Sequence, residues 1–359
     1  MQTIINILVF FLILTVIIVI HELGHFLTAK FFGVYCAEFS IGMGPKIWHK
    51  KKGETDYQIR CLPIGGFVAM AGEADQEDNE LMKDVPYERT LKGIKTWKKC
   101  IIMLAGVFMN FVLAIILLIG VYSFTPMPTN SNTIGTVQEN SYAQKAGVKD
   151  GDTITAVTFN NKTTKVNSFT DIHNALTQDS LSTKDKTIKI TVTIKRNNKS
   201  LNKDVTVKYS KTNASYLMGI TASTKRLSFG EAISHGISQF WYYATVIFAT
   251  LGKLITDSAN TVKQLSGPVG IYNVTAQVTE SGSIGTLLNL TALLSANIGM
   301  FNLIPIPGLD GAQVLFALAE RIVGREISIK VKYVLQLVGL ALVFGLMIYV
   351  TFNDITKLF

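Results

Sequence analysis

One stretch constrains this chain more than any other: an apolar run that leads without a break into a motif of metal-ligand type. Residues 4–20 contain no ionisable side chain. His21-Glu22-Leu23-Gly24-His25 follows directly, and Phe26, Leu27, Phe31 and Phe32 continue the apolar character. About 20 apolar residues are enough to cross a bilayer as a helix. Ionisable groups inside such a segment are costly to bury and count as functional by default. On a helix, His21 and His25 lie four residues apart and share one face. Two imidazoles so placed can bind one metal ion, with Glu22 between them as a base. The competing reading is a pair of structural histidines near the interface end of a membrane helix.

The composition agrees with a membrane setting. Of 359 residues, 48% are hydrophobic and only 16% charged, which is too apolar for an ordinary soluble protein. The net charge of +9 comes in large part from Lys and Arg beside apolar spans, where positive charge sets orientation. No basic patch interleaved with aromatics occurs, so a nucleic-acid partner is not indicated. Cys36, Cys61 and Cys100 form no Cys-x-x-Cys pair, which argues against a cysteine zinc site or redox pair and suits reduced thiols on a cytosolic face. The first six residues carry no Lys or Arg. A secretory signal peptide would need a positive start, so the first apolar run reads as a retained helix.

Further along, the segment after Gly33 is rich in Lys and Arg, the signature of the cytoplasmic side. Within it, Tyr35 to Met70 is punctuated by Gly and Pro and reads as a hairpin-like β element near the membrane, with an ordinary loop as the alternative. Glu73 to Asp84 is acidic and reads as a solvated segment. A second span starts at about Ile101 and stops before Pro126. Thr133 to about Ser223 is polar and alternating, a soluble insert of about 90 residues. Ser228 to Ile255 is apolar and aromatic, but Gln239, Lys253 and its Trp/Tyr cluster suit an interfacial helix. Gly267-Pro268-Val269-Gly270 reads as a turn. Leu287 to Ile304 is a third span, broken by Pro305-Ile306-Pro307-Gly308-Leu309-Asp310-Gly311. Val334 to Phe352 is a fourth.

Two histidines leave a tetrahedral zinc one protein ligand short of a catalytic site. Asp310 stands among helix breakers at membrane depth, where irregular backbone is tolerated only if it is buried in protein or lines a cavity. Its alternative reading is the N-cap of a cytosolic helix. Ile4 to His21 covers about 26 Å of helix and Leu287 to Ile304 roughly 27 Å. If both start at the outer face, the histidines and Asp310 arrive at the same level toward the cytosol. That requires an even number of crossings between them, so Ser228 to Ile255 should not span.

At this point the residues carry a resemblance. The histidine motif in the first span, Asn302-Leu303-Ile304-Pro305-Ile306-Pro307-Gly308-Leu309-Asp310-Gly311 in the third, Ser40-Ile41-Gly42-Met43-Gly44-Pro45, Leu62-Pro63-Ile64-Gly65-Gly66 and Gly267-Pro268-Val269-Gly270 occur in family order. The chain resembles the site-2 protease family of intramembrane zinc metalloproteases, in its bacterial branch with a PDZ domain. Ala143, Ala146-Gly147-Val148, Gly151-Asp152 and Ile154 of the insert resemble a PDZ domain. Ala312 departs from the family, many members of which have a second glycine there.

The resemblance implies a multi-span α-helical membrane protein: four transmembrane helices, a membrane-associated β-hairpin loop and an inserted α+β PDZ domain. The expected segments are 1–32 (first span), 33–99 (cytosolic, with the β-loop), 100–124 (second span), 130–225 (PDZ domain, outside), 228–283 (interfacial helix and loop), 287–324 (third span and following helix) and 331–353 (fourth span). It implies Zn2+ held by His21, His25 and Asp310, Glu22 as general base, and Asn297 and Asn302 as substrate contacts. A helix–helix hydrogen bond is the alternative for each Asn. Zinc with one open position lowers the pKa of water to about 7 and polarises a carbonyl, while a carboxylate can shuttle the proton to the leaving amine.

Such an enzyme would cut single-span membrane proteins or remnant signal peptides, in regulated intramembrane proteolysis at a bacterial plasma membrane. Its active site would face the cytosol, and peptide C-termini are candidate ligands of the PDZ domain. An unwound substrate could add as a strand to the β-loop. The competing classes are a membrane-anchored protease with a soluble site and a non-enzymatic PDZ scaffold.

Overall fold

The computed structural model describes residues 1–73, 82, 84–183, 185–211, 214–257, 261–262 and 265–356. Most of the acidic segment Glu73 to Asp84 lies outside the described residues. The chain divides into two compact units, residues 1–121 with 231–359, and residues 122–230.

The first unit is built on helices. Among the described residues, four are long and apolar enough to cross a membrane: Gln2–Phe31 (α1), Thr96–Phe124 (α2), Ile284–Asn302 (α8 in the chain order completed below) and residues 330–356 of the last helix. Ile4, Leu8, Leu12 and Val16 of α1 stay exposed, as do Val338, Leu342, Ile348 and Phe352 of the last helix. An apolar surface of that extent on a polypeptide marks contact with lipid or another chain. On its other face, α1 buries Ile13 and Ile17 against Leu294.

Between α1 and α2 lie two antiparallel strands, Cys36–Lys52 (β1) and Thr55–Met70 (β2). Both bend, so that residues 38–41 pair twice with β2. Ser40 faces Gln58 on one side and Phe67 on the other, while Lys46 to Lys52 pair back on Arg60 to Thr55. The result is one ladder in which segments of the two strands lie four abreast. Residues 66–70 form one edge of it. Phe39, Val68 and Met70 pack with Phe26, Ala29 and Ile102, which docks the ladder on the end of α1 and the start of α2. Glu54 receives Lys30 Nζ at 2.6 Å and Arg89 Nη2 at 2.8 Å. Burial works to raise its pKa, but the two cations outweigh that and hold the carboxyl below its usual range.

The second unit is a small α+β body. Its five-stranded sheet has the order β6-β5-β7-β8-β9. The strands are β5 (Thr153–Phe159), β6 (Lys162–Lys165), β7 (Thr187–Arg196), β8 (Lys199–Ser210) and β9 (Ser215–Leu217). In β7, Ile188, Ile190, Val192 and Ile194 point into the core while the residues between them face outward, the period of two that a half-buried strand requires. Asn160-Asn161 and Asn197-Asn198 all have positive φ and close the two hairpins as turns whose twist matches that of the strands. Short strands β3 (Met127–Pro128) and β4 (Ile134–Val137) pair with β11 (Thr224–Lys225) and β10 (Ile220–Ala222). Three short helices, α3 (Tyr142–Lys145), α4 (Phe169–Ala175) and α5 (Gln178–Leu181), are each capped by a hydroxyl, from Ser141, Ser168 and Thr177.

Back in the first unit, Phe229–Thr256 forms α6. It is not among the four candidate spans. One face packs on α2 and α8: Gly236 sits against Ile119, Phe240 lies 5.3 Å from Phe111 ring to ring, and the Tyr243 hydroxyl donates to Asn289. The stretch read as a loop after it contains a second helix, α7 (Pro268–Glu280). Gly-Pro-Val-Gly is its beginning. Pro268 occupies the first turn, where a missing N–H costs nothing. Asp354 then accepts from the N–H groups of Gly267 at 2.7 Å and Gly270 at 2.9 Å. The third span, α8, runs Ile284–Asn302 and stops short of Ile304. Asp310–Val323 (α9) and Ile329–Thr356 (α10) complete the chain.

Candidate metal centre

The apolar run of α1 has no interior Pro and continues as one helix through the histidine motif to Phe31. His21 and His25 are 7% and 5% exposed, so both imidazoles are withdrawn from solvent. Small residues let α2 approach them. A Cβ on Gly24 would overlap the Ala105 carbonyl, and one on Gly106 would overlap His25 Nε2 and come within 2.8 Å of His21 Cε1. The glycine inside the motif and the Ala105-Gly106 pair of α2 are therefore one steric requirement seen from two helices.

Asp310 arrives through the proline-rich break after α8. Gly308 takes φ +101°, a region that only glycine enters without strain. A Cβ on Gly311 would overlap the Leu303 carbonyl, and one on Gly339 of α10 would overlap that of Pro307. The loop is thus pressed back on itself and onto α10. The N-cap of α9 is Leu309, with no side-chain cap, so Asp310 is the first helical residue. Its carboxylate does not cap; it faces the histidines.

Three atoms converge there. His21 Nε2 lies 3.1 Å from His25 Nε2. Asp310 Oδ2 lies 3.1 Å from the first and 3.3 Å from the second. These three residues form a metal-type cluster of the described residues. Tetrahedral zinc with bonds of about 2.0–2.1 Å has ligand–ligand edges of about 3.3 Å, and the triangle matches one face of that tetrahedron. His25 Nδ1 is 2.8 Å from the Ile102 carbonyl. A carbonyl can only accept, so Nδ1 carries the proton and Nε2 presents its lone pair to the cluster. Asp310 Oδ2 is buried without a hydrogen-bond donor, an unfavourable arrangement unless a cation shares the space. The residues fit zinc.

Glu22 is half-buried on α1, within electrostatic range of both histidines and Asp310. The ladder edge lies beside it: a Cβ on Gly66 would come 3.7 Å from Glu22 Cγ. Asn297 and Asn302 are half-buried on α8. A residue that sequence reasoning passed over is Asn110 of α2. It is fully buried, and its Nδ2 lies 3.3 Å from His21 Nδ1. The available signal was a lone carboxamide in the middle of an otherwise apolar span.

Imidazoles and a carboxylate gathered in one metal-type cluster among apolar helices, with a further acid beside them, are the groups a membrane metallohydrolase needs. Comparison with known proteins makes the class specific. The model of Peptidase family M50 matches residues 9–346. The chain is 31% identical to the "Regulator of sigma-W protease RasP" of Bacillus subtilis, over 99% of each chain. It is 32% identical to the "Zinc metalloprotease RasP" of Bacillus licheniformis, again over 99% of each. A Clostridium perfringens protein named as a zinc metalloprotease is 34% identical over 94% of this chain and 95% of its own. The chain belongs to peptidase family M50, the site-2 protease family. It is a zinc metalloprotease of a bacterial membrane, with zinc as its cofactor, which sets aside a purely non-enzymatic scaffold.

Proposed function

We propose that the chain cleaves peptide bonds inside the membrane, within the transmembrane segments of single-span proteins or remnant signal peptides. The observation that carries this reading is the triangle of His21, His25 and Asp310: the two histidines stand on α1, a helix apolar enough to span, and the aspartate opens α9 just after the third such helix. His21, His25 and Asp310 hold the zinc. When bound there, the ion supplies Lewis acidity, polarising the scissile carbonyl and making water nucleophilic near neutral pH.

Glu22 takes the proton from the attacking water and returns it to the leaving amine, a role that needs a carboxylate beside the ligands and sheltered from bulk solvent. A substrate helix hides its amides in its own hydrogen bonds, so it must be unwound before it can be cut. On this reading an extended substrate adds as a strand at the ladder edge of residues 66–70, where the Val68 backbone now contacts Glu22. The basic ladder residues Lys46, Lys50, Lys51 and Lys52 support a cytosolic position for this side. On this reading the insert is a PDZ domain on the outer side, with peptide C-termini as candidate ligands. The relative named as a regulator of sigma-W supports a place in regulated intramembrane proteolysis. Asn297 and Asn302 line the substrate path on α8.

The test is turnover of a single-span reporter by the full chain in detergent with zinc. Wild type yields two fragments and Glu22→Gln almost none; equal yields from the two would sink the proposal.

A further inference from the structure

We propose that Asn110 is a positioning residue for the metal centre: it fixes the ring of His21 by accepting the Nδ1 proton through Oδ1. The inference rests on His21 being a zinc ligand through Nε2.

An imidazole that binds metal through one nitrogen carries its proton on the other, and that N–H nearly always donates to a carbonyl or carboxylate. His25 follows the rule with the Ile102 carbonyl at 2.8 Å. His21 Nδ1 faces the Asn110 carboxamide at 3.3 Å. Asn110 Oδ1 is buried with no hydrogen-bond partner. A half-turn of the amide about its last side-chain bond exchanges its oxygen and nitrogen without moving the group. With oxygen toward Nδ1, one hydrogen bond satisfies the buried acceptor and the proton that a ligating His21 must carry. With nitrogen toward Nδ1, two donors face each other and the oxygen stays orphaned; the exchange removes that donor–donor contact and moves the NH2 group to the place the oxygen leaves.

The surroundings hold the backbone and Cβ of Asn110 in place. Ser295 Oγ donates to the backbone carbonyl of Asn110 at 2.8 Å. Gly299 leaves no room for a side chain, since a Cβ there would lie 3.3 Å from Asn110 Cβ and closer still to the Phe111 ring. Asn110 thereby joins α1 to α8, the helix that leads into the Asp310 loop. The two histidines would thus be steadied by different means, His25 by the backbone of α2 and His21 by a side chain of the same helix. Only the second can be removed by substitution.

The test uses the full chain in detergent. Zinc affinity is measured by competition with a chromophoric chelator, and the absorption spectrum of the cobalt-substituted protein reports the ligand geometry. Asn110→Leu, close in size but unable to accept, is expected to weaken zinc binding about 10–100-fold and to alter the cobalt spectrum. Asn110→Asp keeps an acceptor and is expected to bind zinc at least as tightly as wild type. Two results would overturn the proposal: Asn110→Leu binding zinc within twofold of wild type, or Asn110→Asp losing as much affinity as Asn110→Leu. If Asn110→Leu does not fold, the aspartate variant decides against wild type: zinc binding weakened about tenfold or more would overturn the proposal. Zinc retained in full by His21→Ala would overturn the ligand assignment first, and the role of Asn110 with it.

Discussion

Each unit of this chain draws an aspartate out of bulk solvent, Asp152 almost completely and Asp310 in large part, and the two are treated in opposite ways. Asp152 of the insert receives Arg196 Nε and Nη2 at 2.7 Å each and the Lys149 N–H at 2.8 Å. Burial alone would raise its pKa, but these donors prevail and hold the carboxyl below its usual range. Asp310 has no such partner. Its buried Oδ2 sits against two imidazole nitrogens, one of which has already committed its proton elsewhere. The first carboxylate is satisfied by the protein and serves only stability. The second keeps a buried oxygen without a donor, as the proposed zinc site requires. The difference lies in the number of donors that reach the carboxylate.

Removal of a ligand should have the largest effect. Asp310→Ala or His25→Ala is expected to abolish both zinc retention and proteolysis, while hydrogen exchange in the insert stays as in wild type. Metal analysis of the purified variants checks the first point, and full zinc occupancy in either would break the comparison. Glu22→Gln should follow, lowering turnover about 10²–10⁴-fold with zinc still bound. Loss of the metal together with the activity would mean that Glu22 is a ligand instead of a base.

Gly106→Val places carbon where the imidazole rings stand. It should weaken zinc binding by about the 10–100-fold seen when ligand orientation is disturbed, as read by chelator competition. On the other side of the comparison, Arg196→Met leaves Asp152 buried and unpaired. Breaking a buried pair costs about 3–5 kcal/mol, and the cost here should fall at or below the low end because the Arg196 side chain is 26% exposed. Exchange protection of β7 and β8 should drop, whereas cleavage of a transmembrane reporter should change little.

The pairing of Asp152 also sets a pH dependence. Its folded-state pKa is depressed, so the contribution to stability is complete above the ordinary carboxylate value of about 3.9 and disappears as pH falls through the folded-state value. The insert of the wild type should therefore lose protection on acidification below that range. In Arg196→Met this acid-dependent loss should be smaller. Equal pH profiles would show that the pair contributes nothing.

The parts of this molecule that were legible in its sequence are those where local chemistry decides. Four long apolar runs announce four helices able to span, because lipid leaves the backbone no alternative but helix or closed barrel. Histidines four apart on such a helix, and an aspartate among prolines and glycines, are too costly in that setting to escape notice. What stayed hidden depends on distant partners. The Gly-Pro-Val-Gly stretch begins a helix whose exposed N–H groups are met by Asp354, more than 80 residues later. The double pairing of residues 38–41 needs the bends of both strands. Asn110 carries no motif; only its place opposite His21 gives it a role. Gly24 and Gly106 make sense only when two helices are seen crossing.

The central claim is that this metal site cuts peptide bonds within the membrane. The most direct measurement is mass-spectrometric mapping of the cut in a single-span reporter, with the full chain and zinc, for wild type and Glu22→Gln. The new termini should fall inside the apolar segment of the reporter, and Glu22→Gln should produce almost none of them. Cleavage confined to the soluble flanks of the reporter, or the same internal cut at the same rate with Glu22→Gln, would contradict it.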